Sequence, residues 1–385
     1  MPPVRHIVYE CIPGAYAGGV QKMVFELASA QRRAGADVEI WAPDGVRAGS
    51  VEDHEGLPIR YFMPDYELGL AKSYRLERAL SSLPQGAVLH AHNSFHPLNL
   101  QVGRAAGRHA LRHFFSPHGA LDPVLLRGWS WKPLKKRIYL RLFKLRSLNR
   151  ADGLFALTPL EAQGLREIGV TAPVHVVPNG ISPVAVASAG EGAAFRRRLN
   201  MPDDAKVILF IGRITPKKRI EDVIRALSEL PSCAHLVIAG NPEAEPDYAG
   251  RLRREVCSAA CERRVHWLGF MDEAAKAAAY AAADAFVHAS QSEGMALAIL
   301  EAMSAGLPAV VTEGCYMGEA AAAGALVQCA QGPAALAEGL ASVLADSAAA
   351  ARLGSAGRDY AARVHDWAAI ARRSLEIYAG QGGAA

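Results

Sequence analysis

The chain has 385 residues, enough for two domains that each bury a core of their own, and its apolar content of 51% is typical of a globular protein. The net charge of +4 is small, and no apolar run approaches the ~20 residues that a helix needs to cross a bilayer, which argues against an integral membrane protein. Six cysteines form no Cys-x-x-Cys pair, and the apolar run at residues 4–9 is too short for a signal peptide. We therefore expect reduced thiols in a cytoplasmic protein.

Strand-like apolar runs alternate with helical patterns along the chain. In the first half the predicted strands are 4–9, 37–42, 59–62, 87–91, 113–116 and 153–157, with helices at 20–34, 74–83 and 159–168. In the second half the predicted strands are 207–211, 235–239, 265–268, 285–288, 309–312 and 325–328, separated by helices. This alternation predicts an α/β protein with two Rossmann-like halves, each a parallel sheet covered by helices on both faces.

A change of composition marks the boundary between the halves. Pro183, Ser188 and Gly190 stand among alanines in residues 181–192, and the pattern of a last amphipathic helix covers 366–378. Parallel sheets bind ligands beyond the carboxyl ends of their strands, so we expect the ligand in a cleft between the halves.

Two glutamates frame a conspicuous stretch of the second half. Glu293 follows the strand at 285–288, and Glu301 lies within a helical pattern that we expect to begin near Gly294 and to end at Gly306. A helix N-terminus presents free N–H groups and a partial positive charge, so Gly294 and Met295 would bind a phosphate while the carboxylates accept sugar hydroxyls. The alternative is a surface helix with two solvated glutamates.

A basic loop follows the strand at 207–211. Arg213 comes directly after Gly212, and Lys218 stands further along the loop. A guanidinium offers a planar fork for phosphate oxygens and an ammonium offers a mobile point charge. Basic runs are usually solvated surface, but a position at the carboxyl end of a strand favours a diphosphate site.

These residues, with motifs near the N-terminus, resemble the family 4 retaining glycosyltransferases of the GT-B fold. The motifs occur in the family's order along nearly the whole chain: Gly18-Gly19 opening a helix, His118-Gly119, Pro178-Asn179-Gly180, Gly212-Arg213 with Lys218, 237–240, 265–269, and Glu293 with Glu301. Two positions depart from the family pattern, since Arg219 replaces a usual glycine and Met295-Ala296 replace a frequent Phe-Gly. The resemblance implies two Rossmann-like domains whose parallel sheets face each other across a cleft.

The resemblance also implies a division of labour. Residues 1–185 would form the acceptor-binding domain, 186–365 the nucleotide-sugar-binding domain, and 366–385 a helix that crosses back to the first domain. The enzyme would transfer a sugar from a nucleotide-diphosphate sugar to a glycan acceptor, lipid-linked, in bacterial surface polysaccharide or glycolipid synthesis. A front-face mechanism, in which the leaving phosphate takes the acceptor's proton, needs no protein nucleophile.

Residue roles follow from the matched positions. We expect a catalytic group of His118, Arg213, Lys218 and Glu293. The expected donor-binding residues are Gly18, Gly19, Asn179, Gly240, Gly294, Met295 and Glu301, and those on the acceptor side are His92 and Asn93. His90, within its strand, is expected to belong to the sheet.

No cofactor is expected. Many transferases hold a divalent metal with Asp-x-Asp, and no Asp-x-Asp occurs in this sequence. Arg213, Lys218 and the helix N-terminus would supply the positive potential for the leaving diphosphate instead.

The small net charge conceals a basic first half. Residues 1–185 hold 22 Lys and Arg against 15 Asp and Glu, a net of +7. An acid-free stretch at 129–150 interleaves eight of these cations with aromatic and aliphatic residues. This pattern suits an amphipathic helix on an anionic membrane surface, and equally a solvated helix packed on its own domain. Nucleic acid is not expected as a partner, because no recognition motif accompanies the charge.

Three other functions share parts of this pattern. A sugar-nucleotide epimerase uses the same architecture but needs acid and base groups at the sugar ring. A nicotinamide-dependent oxidoreductase needs a Gly-x-Gly-x-x-Gly after its first strand, where residues 14–19 read Gly-Ala-Tyr-Ala-Gly-Gly. A non-catalytic sugar-nucleotide-binding protein would not need the complete phosphate and ribose set.

Overall fold

The computed structural model describes residues 1–11, 19–67, 70–92, 98–126 and 131–381. The chain divides into two compact units, which we call unit 1 (Met1–Gly180 with Asp366–Ala385) and unit 2 (Ile181–His365). The division falls at the start of the region 181–192 in which the sequence predicts the boundary. The Ile181 N–H donates to His365 O at 2.8 Å, and Ile181 packs against the unit 2 core.

Unit 1 contains an eight-stranded sheet in the order β10-β9-β8-β7-β1-β2-β4-β3. All neighbouring strands are parallel except β3 and β4, so the predicted parallel sheet has one antiparallel strand at its edge. A separate antiparallel pair joins β5 and β6. The strands are β1 (Val4–Ile7), β2 (Val38–Pro43), β3 (Val51–His54), β4 (Leu57–Phe62), β5 (Asp65–Glu67), β6 (Leu70–Lys72), β7 (Val88–His92), β8 (Arg112–Ser116), β9 (Gly153–Ala156) and β10 (Val174–Val176).

Helices cover this sheet, and the last one returns from the end of the chain. The helices of unit 1 are α1 (Gly19–Arg33), α2 (Tyr74–Ser81), α3 (Leu98–His109), α4 (Pro123–Leu126), α5 (Trp131–Tyr139), α6 (Leu145–Leu148), α7 (Pro159–Glu167) and α16 (Trp367–Tyr378). A π-helical turn, Leu140–Lys144, joins α5 to α6.

Unit 2 contains a six-stranded sheet, parallel throughout, in the order β13-β12-β11-β14-β15-β16. Its strands are β11 (Lys206–Ile211), β12 (Ala234–Ala239), β13 (Val265–Gly269), β14 (Ala285–His288), β15 (Ala309–Thr312) and β16 (Val327–Cys329). Its helices are α8 (Ala189–Arg198), α9 (Ile220–Glu229), α10 (Pro246–Ser258), α11 (Glu273–Ala282), α12 (Leu297–Ser304), α13 (Gly318–Ala322), α14 (Pro333–Ala345) and α15 (Ser347–Val364). The prediction of two parallel-sheet α/β halves is confirmed.

Continuous apolar runs explain why these strands lie in the middle of their sheets. Every residue of β12 is buried, as are those of β14 and β15, because helices cover both faces of a parallel sheet. The buried apolar residues of unit 2 form one cluster on each face of its sheet. The carboxyl ends of these strands are thereby held at one rigid edge.

The C-terminal helix α16 is part of unit 1. It packs along α1, and its Tyr378 is buried among the aromatic rings of Phe114 and Phe155. Gly180 lies against the ring of Trp367 so closely that a Cβ on Gly180 would overlap the indole. Glycine at the end of Pro178-Asn179-Gly180 is therefore required for α16 to pack with Trp367 in this position.

No single helix in the described ranges is both long and apolar enough to cross a bilayer. The consecutive pair Pro333–Ala345 and Ser347–Tyr378 meets the length and hydropathy requirement jointly, with a bend of 105° between its halves.

The contact between Gly180 and Trp367 of α16 leads to a stability prediction with a matched control. Gly180→Ala should destabilise the protein by about 1–3 kcal/mol, because the new methyl group overlaps the Trp367 ring. Gly107→Ala is the control, since a Cβ on this exposed α3 residue meets no atom within 4 Å and alanine favours a helix by roughly 0.5–1 kcal/mol. Calorimetry should show a lower Tm for the first variant and an unchanged or higher Tm for the second. Equal Tm values for both would contradict this role of Gly180.

Candidate functional site

A tight turn after β11 positions Lys218. Residues Pro216–Lys218 form a 3₁₀ turn, and Arg219 leaves it in the left-handed conformation with φ of 50°. This conformation favours glycine, which explains why glycine is the usual residue at the Arg219 position of the family pattern. In this chain the Arg219 side chain is held by Asp222, whose carboxylate accepts from Nε and Nη2 at 2.9 and 3.0 Å.

Lys218 is the centre of a buried polar cluster. Its Nζ donates to Glu293 Oε1 at 2.6 Å and to His288 Nε2 at 3.1 Å, and Ser290 Oγ donates to the same Glu293 oxygen at 2.7 Å. Lys218 and Glu293 are only 11% and 12% exposed in their side chains, so the pair is screened little by water. The structure thus brings two predicted site residues into direct contact.

Electrostatics of the cluster favour the charged pair. Burial raises the pKa of Glu293, but the positive charges of Lys218 and Lys217 outweigh it and lower that pKa to about 2. Burial, assisted by the charge of Lys218, lowers the pKa of His288 to about 3. At neutral pH Glu293 is therefore a carboxylate and His288 a neutral imidazole.

His288 was missed by sequence reasoning. Because the Lys218 ammonium donates to Nε2, the neutral ring carries its proton on Nδ1. That buried Nδ1 has no hydrogen-bond partner among the described residues. The available signal was a histidine at the last position of a buried strand, directly before the Ser-Glu-Gly loop.

The loop that carries Glu293 is fixed through its backbone. The N–H of Gln291 donates to Lys217 O at 2.9 Å, and the N–H of Glu293 donates to Gly314 O at 2.8 Å. A Cβ on Gly314 would overlap Ser290 O, so glycine permits this close approach. The extended loop also delays the helix: α12 begins at Leu297 rather than near Gly294 as predicted, and Gly294 and Met295 belong to the loop.

The N-terminus of α12 therefore differs from the predicted anion site. Its N-cap is Ala296, which makes no side-chain capping bond, and the Met295 side chain packs against the core of unit 2. Any N–H groups that Gly294 and Met295 offer to a ligand come from an irregular loop, without the alignment of a helical first turn.

Glu301 lies within α12 and is 6% exposed. Its Oε2 accepts from Tyr280 Oη at 3.2 Å and from Lys276 Nζ at 3.4 Å. Lys276 and Tyr280 lie one turn apart on α11, in an alanine-rich stretch whose composition indicates helix and no function. The structure gives these two residues a place beside a predicted donor-binding carboxylate.

Arg213 and Gly240 lie at the ends of adjacent strands. The Arg213 side chain is exposed and makes no hydrogen bond or ion pair with any described residue. Gly240 donates its N–H to Gly269 O at 2.8 Å, and a Cβ at Gly240 would overlap Gly212 O. Glycine at 240 is thus required for the approach of the β11 and β12 ends, whatever it contacts in a ligand.

In unit 1, His118 lies in the turn that follows β8. Its φ of 52° and that of 74° at Gly119 place both residues in the left-handed region. The buried Glu161 carboxylate holds this turn, accepting from the Gly119 N–H at 2.6 Å and from the Leu157 N–H at 2.7 Å. Thr158 caps α7 by accepting from the Glu161 N–H at 3.1 Å, which fixes the residue that supports His118-Gly119.

Three further histidines lie behind His118 on one face of the sheet. His6 and His90 are paired in register on β1 and β7, and His92 follows two residues after His90, so all three side chains share a face. Each contributes a ring nitrogen to a group within 4.8 Å. His90 hydrogen-bonds Ser116 Oγ at 2.7 Å through Nε2 and Tyr378 Oη through Nδ1.

His92, which the sequence predicts on the acceptor side, is the last residue of β7. It is 1% exposed, and its Nδ1 and Nε2 contact His118 Nε2 at 3.0 Å and His6 Nδ1 at 2.9 Å. Both ring nitrogens are occupied, so the imidazole has none left for an acceptor substrate.

Of the four remaining predicted residues, two lie in the described part of unit 1 and two lie outside the described residues. Asn179 is buried after β10, and Gly19 is the exposed first residue of α1. Gly18 and Asn93 lie outside the described residues.

The basic stretch forms one nearly continuous helical run from Trp131 to Leu148, interrupted by the π-helical turn. Ile138, Leu142 and Phe143 are 47%, 66% and 54% exposed. Lys144 is buried instead of exposed, with Nζ 4.0 Å from the centre of the Phe115 ring, and burial lowers its pKa to about 7. It must be removed from the predicted set of surface cations. Trp129 lies outside the described residues.

Comparison with known proteins adds the family. Residues 18–180 match the model of the glycosyl transferase 4-like domain, and residues 193–360 match that of glycosyl transferases group 1. A D-inositol 3-phosphate glycosyltransferase of Kineococcus radiotolerans is 30% identical over 94% of this chain and 90% of its own length. The enzyme of the same name from Xylanimonas cellulosilytica is 31% identical over 60% of this chain and 57% of its own.

Solved structures share the fold at lower identity. A sucrose-phosphate synthase of Thermosynechococcus elongatus aligns over 99% of both chains with a TM-score of 0.78 at 21% identity. HepE from Anabaena, in complex with UDP-glucose, aligns over 99% of this chain and 100% of its own with a TM-score of 0.80 at 19% identity. WaaG, a glycosyltransferase of lipopolysaccharide biosynthesis, has a TM-score of 0.72 at 17% identity, over 98% of this chain and 100% of its own. With its motifs, its two parallel-sheet units and these relatives, the chain belongs to the family 4 glycosyltransferases and has their GT-B fold.

Proposed function

We propose that this glycosyltransferase moves a sugar, with retention of anomeric configuration and without a metal, from a nucleotide-diphosphate sugar to a glycan acceptor. The observation that carries the proposal is the Lys218 cluster at the carboxyl ends of β11 and β14. It combines a buried cation, a carboxylate and an exposed neighbouring guanidinium at the edge where parallel sheets bind ligands.

Lys218 can bind a leaving phosphate because its ammonium has one N–H donor more than its two observed partners use. An ammonium has three N–H donors, and two of them are directed at Glu293 Oε1 and His288 Nε2. The third has no partner among the described residues. Glu293 and His288 hold the ammonium in place. The third N–H can therefore donate to a phosphate oxygen while the ion pair with Glu293 stays intact.

The glutamates recognise sugar hydroxyls in this proposal. Glu293 has an ionised carboxylate at neutral pH and accepts hydrogen bonds from hydroxyls of the transferred sugar. Glu301, shared with Lys276 and Tyr280, accepts from the ribose hydroxyls of the nucleotide. His118 contacts a hydroxyl of the substrate from unit 1.

The reaction balances without a protein nucleophile. The bond from the anomeric carbon to the diphosphate oxygen breaks, and a bond from that carbon to the acceptor oxygen forms on the same face. The acceptor's proton passes to the departing phosphate, so the products are the glycoside and the nucleoside diphosphate. Lys218 and Arg213 stabilise the charge that develops on the diphosphate, in place of a metal.

The relatives suggest donor and acceptor classes to examine first. HepE is described with UDP, with UDP and glucose, and with UDP-glucose, so UDP-glucose is the first donor to test. The names of the relatives include a D-inositol 3-phosphate glycosyltransferase and an enzyme of lipopolysaccharide biosynthesis. We propose a lipid-linked glycan of a bacterial polysaccharide or glycolipid as the acceptor, with phosphorylated polyols as the soluble comparison.

Docking on the cytoplasmic face of a membrane would bring the enzyme to such an acceptor. Exposed Ile138, Leu142 and Phe143 interleave with exposed cations at Lys135, Arg141, Arg146 and Arg150. Apolar side chains can enter the headgroup region while each cation near an anionic surface contributes about 1 kcal/mol. The resulting attachment is peripheral and reversible.

Arg213→Ala should lower transferase activity by roughly a hundredfold, because it removes about 3 kcal/mol of stabilisation at the leaving diphosphate. Arg213 is a cleaner target than Lys218, whose removal would leave the Glu293 carboxylate buried without a counter-charge. Arg253→Ala is the control, since Arg253 is equally exposed on α10. Release of UDP from UDP-glucose in the presence of acceptor measures the rate. Wild-type turnover in Arg213→Ala would remove Arg213 from the diphosphate site.

Transferase activity should be unchanged after exhaustive treatment with EDTA, because Arg213 and Lys218 supply the charge that a metal provides elsewhere. The same assay measures it, with and without added Mg²⁺ or Mn²⁺. Complete loss on chelation, reversed by either ion, would contradict metal independence.

The protein should co-sediment with vesicles that contain anionic lipid at low salt, and less at high salt, where the screening length falls below about 10 Å. Changing Lys135, Arg141 and Arg146 together to Glu should abolish binding and leave activity on a soluble acceptor unchanged. The matched control changes Arg197, Arg253 and Arg263, exposed in unit 2, to Glu. Equal loss of binding in both triple variants, or no binding by the wild type, would refute docking through this helix.

A further inference from the structure

A line of hydrogen bonds runs through unit 1 from the C-terminal helix to His118. Gln31 of α1 contacts His6 Nε2 through Oε1 at 2.7 Å, and His6 Nδ1 contacts His92 Nε2 at 2.9 Å. His92 Nδ1 then contacts His118 Nε2 at 3.0 Å. Gln31 and His6 are 0% exposed and His92 is 1% exposed, so no water competes for the hydrogen bonds among these three residues.

Ser374 of α16 determines which way round the Gln31 amide lies. The Ser374 hydroxyl donates its proton to Ala371 O at 2.7 Å, so its oxygen can only accept from Gln31. The Gln31 group at 2.7 Å from Ser374 Oγ is therefore the NH₂, and Oε1 faces His6. A rotated amide would set two acceptors against each other in a buried place, at the cost of an unsatisfied group.

The direction of every later hydrogen bond follows. Gln31 Oε1 can only accept, so His6 carries its proton on Nε2 and its Nδ1 accepts from His92 Nε2–H. His92 Nδ1 in turn accepts from His118 Nε2–H. The ring of His118 is left with a bare Nδ1, which has no hydrogen-bond partner among the described residues.

Burial keeps the rings neutral, as this arrangement requires. Desolvation lowers the pKa of His6 to about 4 and that of His118 to about 3, and it lowers the pKa of His92 well below the ordinary value. Each ring therefore carries one proton from mildly acidic to alkaline pH. Only the Nε2–H tautomer of each ring makes all the hydrogen bonds from Gln31 to His118.

We propose that Gln31, oriented by Ser374 and acting through His6 and His92, holds His118 in the Nε2–H tautomer so that Nδ1 accepts a hydrogen bond from a substrate hydroxyl. Gln31 and Ser374 are positioning residues that never touch the substrate. The tautomer itself rests on unit 1 alone. Its use in recognising a sugar hydroxyl rests on the function proposed above.

His90 belongs to a second line, which meets the first only at Gln31, whose Nε2 also lies 3.4 Å from Tyr378 Oη. It runs from Tyr378 Oη through His90 to Ser116 Oγ. The ring nitrogens of His6, His90 and His92 lie close enough for a metal ion, but each is already engaged in one of the two lines. A metal ion binds only ring nitrogens that carry no proton and make no hydrogen bond. A bound metal would therefore break the line of hydrogen bonds from Gln31 to His118, which we call the relay.

The tautomer is measurable by NMR on the full-length protein with ¹⁵N-labelled histidine. The ¹⁵N shift separates a protonated from a bare ring nitrogen, and the His118 signal is identified by its loss in His118→Gln. Wild type should show Nε2–H for His6, His92 and His118. A His118 ring with its proton on Nδ1, or stoichiometric metal in the purified protein by elemental analysis, would overturn the relay.

Gln31→Met removes the acceptor at the start of the line. The reverse order, with protons on Nδ1, then makes as many hydrogen bonds, so the Nδ1–H tautomer of His118 should become populated and kcat/KM should fall several-fold. Ser29→Ala is the matched control on the same helix, because its buried hydroxyl has no partner among the described residues. It should leave both the shifts and kcat/KM unchanged.

A double-mutant cycle tests that Gln31 acts through His118. In a His118→Ala background, Gln31→Met should lower kcat/KM no further, and an equal loss in both backgrounds would overturn the positioning role. If His118→Ala itself leaves kcat/KM unchanged, the substrate role of His118 in the proposed function fails. The wild-type ¹⁵N shifts then still decide the relay, so the two failures are distinguishable.

Discussion

The ion pair between Lys218 and Glu293 is the interaction on which the candidate donor site of unit 2 depends. A buried ammonium and a buried carboxylate are each costly, and the cost is offset only when they meet with good geometry and their remaining hydrogen bonds are made. Ser290 and His288 supply those bonds. The turn after β11 and the loop after β14 are then held by the same pair, so the cation proposed for the phosphate and the carboxylate proposed for the sugar are positioned together.

Unit 1 also buries ionisable side chains, but it avoids the cost of buried charge by a different means. Its sheet buries His6 on β1 and His90 and His92 on β7, beside the half-buried His118 that follows β8, and burial keeps these rings neutral instead of pairing charges. Neutral imidazoles each have one donor and one acceptor, so a line of them has a direction. Ser374 of α16 sets the direction of the hydrogen bonds by orienting Gln31. The C-terminal helix therefore affects the polar groups of unit 1 as well as covering its sheet.

Close backbone approach sets the remaining constraints. Gly240 and Gly314 permit contacts that a Cβ would block, and both lie at strand ends next to the Lys218 cluster. Arg219 shows the opposite case, since it adopts a conformation that favours glycine and is held there by Asp222. Local strain is accepted at this turn because the Asp222 bonds and the buried Lys218 before it over-determine the backbone.

Residue pattern alone determined most of the architecture. Alternating apolar runs and helical periods predict all six strands of the unit 2 sheet and six of the eight strands of the unit 1 sheet, because strands covered on both faces are largely apolar. They miss β3, an edge strand that is exposed or half-buried along its length, and β10, which has only three residues. The same pattern places Arg213, Lys218 and Glu293 at the carboxyl ends of their strands. The start of α12 was predicted too early, since the backbone bond from Glu293 to Gly314 that keeps the loop extended joins residues whose sequence carries no trace of it.

Tertiary structure alone decided which polar groups meet. His6, His92 and Gln31 are distant in sequence from His118, and only the strand order of unit 1 and the return of α16 bring them into one line. Lys276 and Tyr280 on α11 acquire a partner in Glu301 on α12. Lys144, the last residue of the π-helical turn, is buried over the Phe115 ring. Periodicity and composition report which face of an element is apolar, and they contain no information about which buried polar atoms of separate elements lie within hydrogen-bond distance.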